Sequence, residues 1–483
     1  MTLSSEILIS VFSIRALRHK SMSTCAYLSG MLLCRGTLKG MVHRIQNFEA
    51  LAENELRADA LAIAEAGLEA INTGAALERT LRRECDELHI DGKSYSLTSR
   101  RVYFVGVGKC AFAGARAVEK LFGDRLTGGI AFDVSTDEQS NVKLKTIKTY
   151  TGTHPLPSEA NVKATKRIME FLSGREESDL VIMLISGGGS SLLCLPTAPM
   201  TCEDESMLFS ELTARGASIQ DMNIVRKHIS RARGGALAVA TYPAEVISLI
   251  VSDVPGDDFA TIASGPTVLD SSTIADAQAV LAKYNLADVA NPVRNQISNG
   301  ASIAFIETPK ETKYFERVTN SLLLSNQDAL LAMKTEAETR GYEASVVDDR
   351  FAGEAREIGH TVAEKLYASP AKTALLYAGE STVTLDTHAG AGGRNQELAL
   401  AALEYLNHDE LIMPFASDGR DNTDHAGAIA DEATRAHALA HSLSIKEHLD
   451  AHRSYDFFTT VGDALVTGYT GSNVSDLVIA LKK

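Results

Sequence analysis

The chain has 483 residues with 45% hydrophobic and 23% charged residues, enough to bury a large core and to divide into two or three domains. Its formal charge of −15 and the lack of a basic stripe interleaved with aromatics exclude a nucleic-acid surface. The six cysteines form neither a CxxC pair nor a Cys/His zinc spacing and read as reduced thiols in a reducing compartment. No apolar run reaches the ~18 residues that a membrane-spanning helix needs.

Residues 1–45 hold six bases (Arg15, Arg18, Lys20, Arg35, Lys39, Arg44) against one acid, Glu6, so the remaining chain carries −20. An acid-poor leader with Arg and Ser resembles a mitochondrial transit peptide. An upstream extension from a misplaced start, with Met41 opening the protein, fits as well, and the location is therefore either mitochondrial or cytoplasmic.

From Asn47 onward, apolar residues at helical spacing predict one or two amphipathic helices. A short buried strand (Val102–Val105), a glycine turn (Gly106–Gly108) and a helix (Ala111–Phe122) follow. This strand–turn–helix unit recurs at Asp179–Pro196, and a third strand runs into the acids of SDVPGDD. Continuous apolar strands alternating with helices predict a parallel α/β sheet covered on both faces, with ligands beyond its C-terminal strand ends. The stretch Ala287–Val318, rich in Asn, Pro and mixed charge, is the expected junction between a first α/β domain at 46–315 and a smaller one at 316–483. In the second, the alternation from Glu380 to Asp386 suggests a hairpin arm, Arg394 opens a helix, and a strand leads into ASDGRDNTD.

Four glycine-rich segments carry most of the chemistry: VGVGK (Val105–Lys109), ISGGGSS (Ile185–Ser191), the SGP reached from Asp253, and GAGGRNQE (Gly390–Glu397). Glycine lets backbone N–H groups approach an anion, and Lys109 and Arg394 add charge beside two of the turns. Gly106-Val-Gly108-Lys109-Cys-Ala111 also fits a dinucleotide turn, for which Asp133 offers a ribose-binding acid. It is not a Walker A loop, since Cys110 follows the lysine. Three bare glycines (Gly187, Gly188, Gly189) between Ser186 and Ser190 expose backbone to an anion and place serines to cap a helix. The cluster around Asn223, Arg226 and Lys227 suits phosphates or a carboxylate, whereas His154, alone before a proline, reads as structural. Asp253, Asp257 and Asp258, and Asp418, Asp421 and Asp424, follow apolar strands and should gather at a sheet edge. One or two carboxylates with substrate phosphates suit magnesium, and an acid there could take a proton from a substrate hydroxyl.

These segments, together with HPLPSEAN, NIVRKHIS, GESTVTL and TGYTGSNVSDL, resemble the glycerate 2-kinase family, the one with a C-terminal MOFRL domain. The likeness runs from about residue 47 to the end. It implies a Rossmann-like parallel-sheet domain and a smaller α/β MOFRL domain with the active site in the cleft between them. It also implies phosphorylation of D-glycerate to 2-phosphoglycerate with ATP and magnesium. Lys109 and Arg394 match the family's catalytic pair. The implied nucleotide- and substrate-binding set is Gly106, Gly108, Ser186, Gly187, Gly188, Gly189, Ser190, Asn223, Arg226, Lys227, Ser264, Gly265, Glu380, Asn395 and Gln396. Asp253, Asp257, Asp418 and Asp421 are the metal candidates. Arg233, Ser158, Asn422, Tyr469 and Ser475 depart from the family pattern, which bears on local loop geometry. Two other readings stay open: an NAD(P)H-dependent hydroxypyruvate reductase, which would use Asp133, and a non-catalytic sugar-phosphate-binding module. The partners expected are small molecules, with no nucleic acid and no membrane; a homodimer is compatible with all of this.

Overall fold

The computed structural model describes residues 43–134, 143–254, 256–286, 303–385 and 389–483. The leader up to residue 42, and the first half of the expected junction (287–302), lie outside the described residues. His43 to Lys483 form one compact unit. It includes the last leader residues: Ile45 is fully buried, and its N–H donates to Glu65.

A small antiparallel meander, β1 (Arg82–Glu84), β2 (Glu87–Ile90) and β3 (Lys93–Ser96), precedes the first sheet. That sheet contains β4 (Val102–Val107), β5 (Leu126–Val134), β6 (Ile147–Gly152), β7 (Leu180–Ile185), β8 (Glu245–Val251) and β9 (Val318–Leu324). All six are parallel, in the order β6-β5-β4-β7-β8-β9. The central strands β4 and β7 are buried at every residue, as their unbroken apolar runs require of a sheet covered on both faces. Strands are added on one side of β4 up to β6 and on its other side from β7, and this switch in strand order puts a crevice beyond the carboxyl ends of β4 and β7, where the first two glycine turns lie. Because β9 pairs with β8, this sheet ends at Leu324, past the junction expected at 315/316.

The second sheet is mixed. It orders β10 (Glu343–Glu354), β11 (Thr373–Thr382), β15 (Asp476–Lys482), β12 (Glu410–Ala416), β13 (Gly427–Ala428) and β14 (Ala464–Leu465) as β10-β11-β15-β12-β13-β14. The final strand β15 lies antiparallel between β11 and β12. No hairpin arm follows Glu380 among the described residues: β11 runs on to Thr382 against β10, and Asp386 is outside them. One hydrophobic core joins the two sheets, combining Phe104, Ile182 and Leu184 of the first with Leu477 and Ile479 of β15. The helix Glu55–Ala70 packs on both the helix Asn326–Thr339 and β15. Arg57 on this helix is fully buried and pairs with Asp431 at 2.7 Å and Asp463 at 2.8 Å, a fixed clamp between chain ends. No described helix is long and apolar enough to cross a membrane, and the four described cysteines are free thiols.

Candidate active site

The first glycine turn, leaving β4, is closed on itself. Gly108 N donates to Phe132 O (3.1 Å), Lys109 N to Gly187 O (3.0 Å) and Cys110 N to Ser186 Oγ (3.1 Å). Phe112 N, in the first turn of the helix Ala111–Phe122, donates to Asp133 Oδ2 at 2.9 Å. A buried carboxylate thus already sits where a dinucleotide would place its pyrophosphate. Asp133 is 1% exposed and cannot reach a ribose. Burial pushes its carboxyl up to about 7, against the pull of the Phe112 and Val134 N–H groups. The turn's glycines serve packing. A Cβ on Gly108 (φ +114°) would lie 2.5 Å from Ser186 O, and one on Gly106 would press on Phe104 and Ala111.

The second turn, leaving β7, is open. Gly189 N and Ser191 N close it through Ser186 O and Gly188 O. The N–H groups of Gly187, Gly188 and Ser190 have no protein acceptor among the described residues, so three donors remain for an anion. The bare backbone of Gly187 makes room for Asp253, whose Oδ2 would lie 1.8 Å from a Cβ there. Behind the turn, Ser190 Oγ, Ser264 Oγ and Asn223 Oδ1 form a chain with steps of 2.9 Å each. Ala263, Ser264 and Gly265 all adopt positive φ, a strained run that Gly234 and Gly235 hold through their N–H bonds to Ser264 O and Gly265 O.

Charge gathers around this opening from both sheets. Lys109 Nζ meets Asp418 Oδ2 at 2.5 Å, and Tyr469 Oη donates to Lys109 O at 2.9 Å. Burial works against the ammonium, but Asp418 and then Asp253 outweigh it, and the Lys109 pKa is raised. Asp253 Oδ2 accepts from Asn473 Nδ2 at 2.9 Å. Burial, and then the charge of Glu380, lift its carboxyl to about 6, against Lys109. Arg394 opens the helix Arg394–Ala402, paired with Asp476 at 2.5 Å and with Glu380. Arg226 has no carboxylate partner among the described residues. It lies 4.2 Å above the Phe209 ring, and burial followed by the nearby Arg233 pushes its pKa down to about 10.

Several expected site residues have other tasks. Lys227 is buried against Asp270 at 3.1 Å, so it is spent inside the fold and cannot bind substrate. Asn395 and Gln396 are fully buried, and their backbone and side-chain N–H groups hold the Asp421 carboxylate at 2.8–3.2 Å. Four donors saturate Asp421, which makes it the cap of the Arg394 helix rather than a metal ligand. Asp257, at φ +55°, contributes charge to Arg350 and makes no described contact with Lys109, Asp253 or Asp418. Among the described residues, no three His, Cys, Asp or Glu side chains converge in the cleft; the one such group is Glu159, Cys202 and Glu203. Asp253 and Asp418 are what the cleft offers a cation.

His154 belongs to the site although its sequence context suggests a structural role. A Cβ on Gly188 would lie 3.3 Å from Lys109 Cγ and 3.4 Å from His154 Cδ2. Although the residue opens onto solvent, desolvation of its ring, with Lys109 and Arg226 adding like charge, pushes the imidazole down to about 4. Tyr469, Asn473 and Asp476, which carry no site signal in the sequence, come from the last forty residues and reach the site only because β15 is threaded into the middle of its sheet.

Two family models match this chain: a domain of unknown function (DUF4147) over residues 59–298, and the MOFRL family over 373–476. The glycerate 2-kinase of Pyrococcus horikoshii is 34% identical over 88% of this chain and 97% of its own. A putative hydroxypyruvate reductase of Agrobacterium vitis is 38% identical over 78% of this chain and 86% of its own. The crystal structure of glycerate kinase from Thermotoga maritima superposes with a TM-score of 0.73 and 34% identity, over 88% of this chain and 99% of that one.

Proposed function

The chain belongs to the glycerate 2-kinase family, and on that premise we propose that it transfers the γ-phosphoryl group of ATP to the C2 hydroxyl of D-glycerate in the cleft around Lys109. The observation that carries this reading is that Lys109, close enough to Arg394 to feel its charge, stands beside the turn that leaves the N–H groups of Gly187, Gly188 and Ser190 open. Phosphoryl transfer is catalysed by positioning and by charge on the equatorial oxygens, and this set supplies both. Arg226, lacking an acid, would take the glycerate carboxylate. Lys109 is held by Asp418 and can turn from that carboxylate towards a phosphoryl oxygen without leaving the ion-pair cluster. Asp253, with its pKa at about 6, is ionised at neutral pH and suited to accept the hydroxyl proton.

Asp418 fits magnesium, a cation that takes one or two carboxylates alongside substrate phosphates, which leaves Asp253 as the base. When bound there it would neutralise charge on the phosphates. The reductase reading loses its ground at Asp133, whose carboxylate is buried on a helix terminus.

The test is a coupled ADP-release assay on the full chain with ATP, magnesium and D-glycerate, beside NADH with hydroxypyruvate. Turnover should need all three components and fall by about 10³-fold or more in Lys109→Ala. NADH oxidation without ATP would overturn the reading.

A further inference from the structure

A pocket of about 260 Å³ lies against Arg394, between the end of β11, the Gly390–Gly393 loop and Ser454. Two of its lining side chains, Ser381 and Ser454, are each 1% exposed, yet neither hydroxyl has a hydrogen-bond partner among the described residues. A buried hydroxyl left unpaired is destabilising, and persists where something outside the protein completes it. Val383 and Leu385 give the same pocket apolar walls. Its one cation, Arg394, is already matched by Asp476 and Glu380, and its acid, Glu397, is matched by Arg356 and His452. The cavity therefore has no spare charge. It suits an uncharged group with an apolar face and polar edges, and it suits a small carboxylate poorly. Free positive charge and free N–H groups lie instead at the second glycine turn and Arg226.

We propose that this pocket holds the nucleoside of the phosphoryl donor, with Ser381 and Ser454 hydrogen-bonding the base or ribose and the phosphates passing over Arg394 towards Lys109. The proposal rests on the kinase reading above.

Ser381→Ala and Ser454→Ala test it, because neither change removes a described side-chain bond within the protein. Both variants should melt at or above the temperature of the parent chain, since each loses an unsatisfied buried group. KM for ATP should rise about three- to tenfold in each, with KM for D-glycerate unchanged. An unaltered KM for ATP in the double variant would overturn the assignment, as would a rise in the KM for D-glycerate instead. Should the parent chain show no ATP-dependent turnover, the kinase reading fails separately, and binding of a fluorescent ADP analogue then decides the pocket. Binding weakened in the double variant supports it; equal binding, or none to the parent chain, sinks it.

Discussion

The two glycine turns that leave β4 and β7 look alike in sequence and are used in opposite ways. The first spends its N–H groups on Phe132 O, Gly187 O and Ser186 Oγ, and its helix terminus on Asp133. It is a packing device whose product is the position of Lys109. The second leaves Gly187, Gly188 and Ser190 N–H without a described acceptor beside that lysine and is the anion cradle. Glycine content alone does not separate these cases. What separates them is whether neighbouring strands bring acceptors to the turn, and for the first turn β5 brings both Phe132 and Asp133.

Alanine at each turn breaks the comparison most severely. Gly108→Ala would put a methyl 2.5 Å from a backbone oxygen at φ +114°, so loss of folding or a cost of about 3 kcal/mol or more is expected in thermal melts. Gly187→Ala displaces Asp253 and Asn473 side chains, which can move. It should melt much closer to the parent chain while kcat/KM falls by about 10²-fold or more. Equal melting losses in the two variants would mean that the turns do not differ in role.

Arg226→Met probes the cradle's charge with a smaller effect. Since the guanidinium has no described acid to abandon, stability should hold, and KM for D-glycerate should rise about 10- to 100-fold, the worth of a charge-assisted bond. A matching rise for ATP alone would move the carboxylate elsewhere. Acid gives a gentler break. With Asp253 titrating at about 6, kcat/KM should fall about tenfold per unit below that pH. The same raised pKa means that Asp253 stabilises the fold below about pH 4, its unfolded value, and that this is lost as pH rises through about 6. Activity and stability should therefore run in opposite directions across that window. A flat activity profile from about pH 5 to 8 would remove Asp253 from the reaction.

Much of this was legible in the residues. The apolar runs of β4 and β7, followed by glycines, pointed to the parallel sheet and to the placement of Lys109 and Gly187–Gly189. Asp253 and Asp418 were readable as acids at strand ends. The failures have a common cause. Lys227, Asn395, Gln396 and Asp421 are polar residues in conspicuous motifs, and sequence cannot tell a polar group aimed at a ligand from one turned onto a neighbour inside the fold. Asp421 faces four donors only because the loop after β12 folds back on the helix Arg394–Ala402. His154 erred in the other direction: its place beside Lys109 depends on where β6 ends relative to β4, a strand-order fact with no local signature. The edge strand β9 was misplaced for a similar reason, since its pairing to the distant β8 leaves no trace in composition.

The smallest expected effect falls on the first turn and sharpens the comparison most. Asp133→Asn keeps one of the two backbone bonds that the carboxyl accepts and sets an amide NH2, which cannot accept, against the other N–H. Near pH 5 this should cost about 1 kcal/mol of stability. The parent carboxyl, at about 7 when folded and about 4 when unfolded, stabilises the fold below about pH 4 and loses that contribution as pH rises through 7. The gap between the two chains should therefore narrow from about pH 5 to pH 8. Glycerate phosphorylation should change by less than about threefold, because Asp133 supports the helix that follows Lys109 and touches no substrate. A large loss of turnover with stability intact would mean that the first turn binds a ligand after all, and that its closed hydrogen bonds open when one arrives.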